Sequence, residues 1–268
     1  MTTVSEMRNM FDVTGKVAVV VGAGQGIGQG IAYAFGANGG KVVAADIRTD
    51  TLEATVAAIR DAGGEAIGVP CDSTKLEDVK HLASEAIRKY GRIDCLYAVP
   101  GTNVRKSIAN YSYDEFDKVV NVNLKGSFQL LKEISKEIVK NKEGGSIVVI
   151  SSTRCVVTEP GQSVYASTKA AVVMLARTLA AELGKYNVRV NAIAPGAVET
   201  PLTTQIKNNP DWYAAYANKS ALKRWGQPKE IAGPALFLAS EAASFVTGSV
   251  LFADGGWTAI DGRYDPSV

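Results

Sequence analysis

The chain has 268 residues, enough to bury a substantial core without disulfide or metal staples. Its 29 Lys and Arg against 27 Asp and Glu give a formal charge of +2, too balanced for a dedicated nucleic-acid or membrane-surface binder. A hydrophobic share of 46% with 21% charged residues excludes large-scale disorder.

The first ten residues carry Glu6 and Arg8 and no apolar run of signal-peptide length, so a cytoplasmic protein is expected. Runs rich in Val and Ile then recur at 16–21, 41–45, 65–71, 93–99, 146–151, 188–194 and 250–253. Most are uniformly apolar, the pattern of strands covered on both faces in a parallel sheet. Between them, Asp50 with Glu53, Thr74 with Glu77, and Ser112 with Glu115 each match a capping box and predict a helix start. Pro228 predicts another, in the first-turn position where its missing N–H costs nothing. The alternation implies an α/β fold of Rossmann type: a doubly wound parallel sheet of about seven strands with helices on both faces. Residues 198–225 interrupt it, with Pro201, Pro210, Trp212, Tyr213, Tyr216 and Trp225 and no strand pattern. They read as a loop-helix lid within a single domain covering 1–268.

Nothing approaches the roughly 18 apolar residues of a membrane span. Cys71, Cys95 and Cys155 are odd in number and scattered, which argues against a disulfide framework and for a reducing compartment. The single histidine, His81, reads as part of a solvated helix face, and no metal is expected.

Chemistry first enters at Gly22-Ala23-Gly24-Gln25-Gly26-Ile27-Gly28, between the first strand and its helix. Glycines there let the backbone approach a pyrophosphate, and the helix N-terminus offers N–H donors and a favourable dipole. Asp46 ends the second strand, where a carboxylate accepts the ribose hydroxyls of NAD and repels the 2′-phosphate of NADP. NAD is therefore the expected cofactor, although Arg48 follows closely. Tyr165 and Lys169 are one helical turn apart, and a neighbouring ammonium lowers the pKa of a phenol. Ser152 lies at the carboxyl end of the fifth strand, where open α/β sheets bind ligands. Asn123 falls in the helical segment after Ser112, and Asn191 to Gly196 end another strand with a turn, followed by Thr200.

In combination these motifs resemble the short-chain dehydrogenase/reductase family, from Gly15 to about Gly256. The resemblance implies that Tyr165 is the general acid/base and that Lys169 lowers its pKa and binds the nicotinamide ribose. It implies that Ser152 orients the substrate oxygen and that Asn123 holds a relay water. Asp72 would contact adenine, while Pro195, Gly196, Val198 and Thr200 would pack near the nicotinamide. The implied reaction is reversible hydride transfer between an alcohol and the nicotinamide. Val21 replaces the family's threonine, and Ala98-Val99-Pro100-Gly101 replaces Asn-Asn-Ala-Gly, with Gly101 retained on the cofactor side. Val21 is expected to pack against the turn at 99–100.

The presumed catalytic helix is apolar almost all round, with 170–176 unbroken, so a partner subunit is expected to cover it in a homodimer or homotetramer. The tail at Arg263, Tyr264 and Asp265 is a further candidate for reaching a neighbour. Arg154, Glu159 and Gln162 near Ser152 suggest a hydroxylated or anionic substrate, while the aromatics of the lid, Trp212 among them, could cover a ring or form the lid's own core. A polar secondary alcohol (sugar, polyol or hydroxy acid) or its ketone is favoured over a steroid. A 3-ketoacyl-thioester reductase is the enzymatic alternative, weakened by Asp46. A non-catalytic nucleotide-binding sensor or scaffold is the other, weakened by the intact Asn123, Ser152, Tyr165 and Lys169.

Overall fold

In the computed structural model, which describes residues 7 and 9–261, the Val- and Ile-rich runs form seven strands. They are β1 Val17–Val21, β2 Lys41–Asp46, β3 Glu65–Pro70, β4 Cys95–Ala98, β5 Gly145–Ile150, β6 Val188–Pro195 and β7 Val250–Ala253. All pair in parallel, in the order β3-β2-β1-β4-β5-β6-β7. The order reverses between β1 and β4, and such a switch point opens a crevice at the carboxyl ends of the strands.

Strand periodicity distributes β1 between two cores. Val17, Val19 and Val21 face one cluster with Leu82 of α3 (Leu76–Tyr90), Leu130 and Ile134 of α5 (Ser127–Ile138) and Val173 of α6 (Ser163–Leu183). Ala18 and Val20 face the other, with Ile31 and Phe35 of α1 (Gly26–Ala37), Leu52 and Ile59 of α2 (Thr49–Asp61), and Ile231 and Leu238 of α9 (Pro228–Ala239). Helices thus cover both faces, as the uniform burial of β1, β2 and β5 requires. β3 departs from the pattern. It is an edge strand, and its burial alternates, leaving Glu65, Gly68 and Pro70 exposed.

Of the three expected capping boxes, one forms. Ser112 Oγ accepts from the Glu115 N–H at 3.2 Å, and the Ser112 N–H donates to Glu115 Oε2 at 3.0 Å, opening α4 (Tyr113–Val120). α2 starts two residues early, with Arg48 as its cap, so Asp50 falls inside the first turn. Thr74 is occupied elsewhere: its hydroxyl donates to Asp72 Oδ1 at 2.7 Å, and Lys75 caps α3. Pro228 opens α9 as expected, inside a box made by Gln227 and Glu230. Between α4 and α5, residues Asn121–Gly126 form one π-helical turn, a widening often found at functional sites.

The expected Val21 contact takes another form. The Val21 side chain packs in the core cluster with Ala98, and Val99 packs with the opposite cluster. Their link is through the backbone, from the Val99 N–H to the Val21 carbonyl at 3.2 Å. His81 is exposed on α3. No helix among the described residues is long and apolar enough to cross a membrane. The tail residues Arg263, Tyr264 and Asp265 lie outside the described residues.

Candidate active site

The turn after β1 is built on backbone geometry that only glycine satisfies. Gly22 has φ +85° and Gly26 φ +57°, and a Cβ on Gly28 would lie 2.0 Å from the Gly22 carbonyl oxygen. α1 can therefore press its first turn against the end of β1, with no acidic side chain there to oppose an anion. Gly24 has the same need: a Cβ there would meet Asp46 at 2.9 Å. Its N–H instead donates to Asp46 Oδ2 at 2.9 Å, while Asp46 Oδ1 accepts from the Arg48 N–H at 3.0 Å. Asp46 is thus fixed at the end of β2, with the Arg48 side chain beside it.

A cleft of about 350 Å³ opens above this turn. Every residue assigned from sequence to cofactor binding lines it: Gly22, Gln25, Gly26, Ile27 and Gly28 below, and Asp46 and Asp72 at one end. Gly101, Tyr165, Lys169, Pro195, Gly196, Val198 and Thr200 line the rest. A glycine cradle that a Cβ would fill, a helix N-terminus and a strand-end carboxylate together fit a dinucleotide. Ile47, Ser73 and Val122 also line the cleft and were not singled out from sequence.

At the far end, Ser152 and Tyr165 form the wall between the cleft and a smaller cavity of about 90 Å³. Ser152 begins the turn Thr153–Cys155, its Oγ accepting from the Arg154 N–H at 3.2 Å. Lys169 is buried; its Nζ donates to the Ile150 carbonyl at 2.8 Å and lies 5.7 Å from the centre of the Tyr165 ring. Burial pulls the Lys169 ammonium down to about 8. Burial also pushes the Tyr165 phenol up, offset in part by the Ser152 hydroxyl and then by the charges of Arg154 and Arg105. The sequence assigned that lowering to Lys169. Here the offset comes from Ser152 and the two arginines, while the nearby Lys169 ammonium donates to the Ile150 carbonyl.

Asn123 stands behind the cleft. Its Oδ1 accepts from the Thr102 N–H at 2.8 Å, and its Nδ2 donates to the Thr102 carbonyl and to Thr168 Oγ1, both at 3.0 Å. Gly101 lies between Asn123 and Lys169: a Cβ there would sit 3.2 Å from Lys169 Nζ and 3.8 Å from Asn123 Oδ1.

Arg154 lines the smaller cavity, as expected, but Trp212 does not. Trp212 instead supports Arg105, whose guanidinium is 4.8 Å from its ring. Trp225 stacks on Tyr213 and Tyr216, with centroids 4.9 and 5.6 Å apart, so the aromatic residues of 198–225 largely make that segment's own core. Cys155 packs against the main core. Asn103, Arg105 and Trp257 line the cavity and were missed. Asn103 and Arg105 follow β4 and Trp257 follows β7, so a search restricted to strand-end loops would have included them.

A family model described as enoyl-(acyl carrier protein) reductase matches residues 22–258. The 3-oxoacyl-[acyl-carrier-protein] reductase of Thermotoga maritima is 36% identical over 242 residues, 90% of this chain and 97% of that protein. A Beutenbergia cavernae protein assigned as an NAD(P)-dependent gluconate 5-dehydrogenase, crystallised with NADP, superposes with a TM-score of 0.89 at 36% identity. That match covers 94% of this chain and all of the other. A 7α-hydroxysteroid dehydrogenase complexed with NADH and 7-oxo-glycochenodeoxycholic acid superposes with a TM-score of 0.88 at 35% identity, covering 96% and 98% of the two chains.

Proposed function

The chain belongs to the short-chain dehydrogenase/reductase family, and on that premise we propose that it interconverts a small polar secondary alcohol and its ketone using NAD(H). A sugar, polyol or hydroxy acid is the favoured substrate class. The observation that carries this reading is the meeting of Ser152, Tyr165 and Lys169 around the end of a cleft shaped for a dinucleotide. When bound, the nicotinamide supplies the hydride acceptor or donor. The chain supplies position and proton management. Ser152 Oγ hydrogen-bonds the substrate oxygen and aligns the carbinol carbon. The Tyr165 hydroxyl oxygen takes the hydroxyl proton in oxidation and returns it in reduction. Lys169 holds the nicotinamide ribose. Both polar atoms of the Asn123 amide are committed to protein partners, so a relay water would use its backbone carbonyl. That oxygen has a lone pair beyond its bond from Ser127 Oγ.

Asp46 supports NAD over NADP. Two of its lone pairs serve Gly24 and Arg48, which leaves others for ribose hydroxyls, and its charge repels a 2′-phosphate. Asp72 takes the adenine end. The chain acts as one domain, with 198–225 as a lid over the small cavity. It works in the cytoplasm, a reading supported by three free cysteines. It assembles as a homodimer or homotetramer, a reading supported by an apolar groove of about 590 Å³ between α4 and α6, where Tyr113 is 91% exposed.

The test is a panel of alcohols and ketones run with NAD⁺ and NADP⁺ separately, followed by nicotinamide absorbance. Turnover with kcat/KM at least tenfold higher for NAD⁺ is expected; a preference for NADP⁺ would reverse the Asp46 argument. Tyr165→Phe should lower kcat by about 10²–10⁴ while NADH binding persists. Full turnover by that variant, or none by the wild type despite tight NADH binding, would favour a nucleotide sensor. A 3-ketoacyl-thioester reductase is the second reading, favoured by the Thermotoga relative. Acyl thioesters outperforming free polar ketones would select it.

A further inference from the structure

The cavity beside Ser152 and Tyr165 has an unusual charge balance. Two guanidiniums, Arg105 and Arg154, converge on a single carboxylate, Glu159. Arg105 pairs with Glu159 Oε1, and Arg154 Nη2 lies 3.0 Å from Glu159 Oε2. The Tyr216 hydroxyl also donates to Glu159 and accepts from Arg154 at 3.2 Å and from Arg105 at 3.4 Å. Burial pushes Glu159 up, but Arg105, Tyr216 and Arg154 together hold it below the ordinary carboxylate value, so it is ionised. One carboxylate against two guanidiniums leaves one positive charge in a recess where Arg154 is only 8% exposed. A charge removed from water calls for a partner, and planar guanidinium forks match carboxylates.

A second observation is independent of charge. Asn103 Oδ1 is buried without a hydrogen-bond partner. Its orientation is not arbitrary. Glu159 is acceptor-only when ionised, so the Gln162 amide must turn its Nε2 towards it, 3.2 Å away. That leaves Gln162 Oε1 to accept from Asn103 Nδ2 at 2.9 Å, and the chain ends on the buried Oδ1 of a residue that lines the cavity. A buried acceptor without a donor is costly, and a hydroxyl is the smallest group that satisfies it.

We infer that this cavity takes a small carboxylic acid bearing a further hydroxyl, with its carboxylate against Arg105 and Arg154 and that hydroxyl donating to Asn103 Oδ1. The inference rests on the dehydrogenase reading above and narrows its substrate to polyhydroxylated acids.

The experiment measures kcat/KM with NAD⁺ for C4–C6 aldonates, their neutral aldonamides, the alditols of equal carbon number, and deoxyaldonates lacking one hydroxyl. The acids should exceed their amides and alditols at least tenfold, a comparison that depends on no variant. Arg154→Gln and Arg105→Gln should each lower the acid-to-amide ratio at least tenfold. Asn103→Ala should abolish a preference of about tenfold for the hydroxylated acid over its deoxy analogue. Amides or alditols matching the acids would overturn the carboxylate assignment, as would an acid-to-amide ratio untouched in folded arginine variants. Turnover of apolar alcohols alone would remove this inference and leave the dehydrogenase standing. No turnover of any alcohol or ketone would remove both.

Discussion

Lys169 is a cation held where a cation is unwelcome. Burial brings its pKa from 10.5 down to about 8, so the unfolded chain binds the proton more tightly than the folded one. The penalty is fully present below about pH 8 and fades as pH rises towards 10.5, where both states are neutral. Lys169→Met should therefore be more stable than the wild type at pH 7, by up to about 3 kcal/mol. That advantage should shrink towards zero near pH 10.5. Thermal midpoints at the two pH values check this, and equal midpoints at pH 7 would contradict it. The variant would also lose activity, a trade common where a strained group serves catalysis.

Among the elements, the junction of β1 and α1 is the least tolerant. At Gly28 the obstacle to a side chain is backbone, the Gly22 carbonyl, which cannot swing aside as a flexible side chain would. Gly28→Ala should cost about 3 kcal/mol, the upper end of ordinary overpacking. It should lower the urea midpoint and abolish NADH binding; an unchanged midpoint would mean the turn is softer than its geometry implies. This junction was legible in the sequence because the physical need, glycine at a close approach, writes itself into residue identity. Helix starts were less legible. Asp50 and Thr74 have the right spacing for caps, but α2 begins two residues early and Thr74 is drawn to Asp72. The small cavity was the least legible, since Asn103, Arg105 and Trp257 come from loops distant in sequence and only the fold brings them to Arg154.

Across the whole molecule, the α6 helix is covered on one side by the sheet and open on the other. Met174 is 56% exposed there, and across the adjoining groove Ile108 is 77% and Phe116 47% exposed. An exposed apolar surface of this kind is a common mark of an interface. Tyr113→Glu with Phe116→Glu should shift the sedimentation coefficient to that of a monomer, with the fold retained by circular dichroism. A wild-type protein already monomeric at micromolar concentration would refute the assembly.

Glu159 belongs to the loop after Ser152, yet it grips Tyr216 of α8 (Pro210–Lys219) and Arg105 of the loop after β4. It is a shared pivot, so the preference of the recess and the anchoring of α8 are governed by one carboxylate. An engineer who neutralises it to admit a dianion also loosens α8. Selectivity and local stability would then shift together, and evolution faces the same coupling.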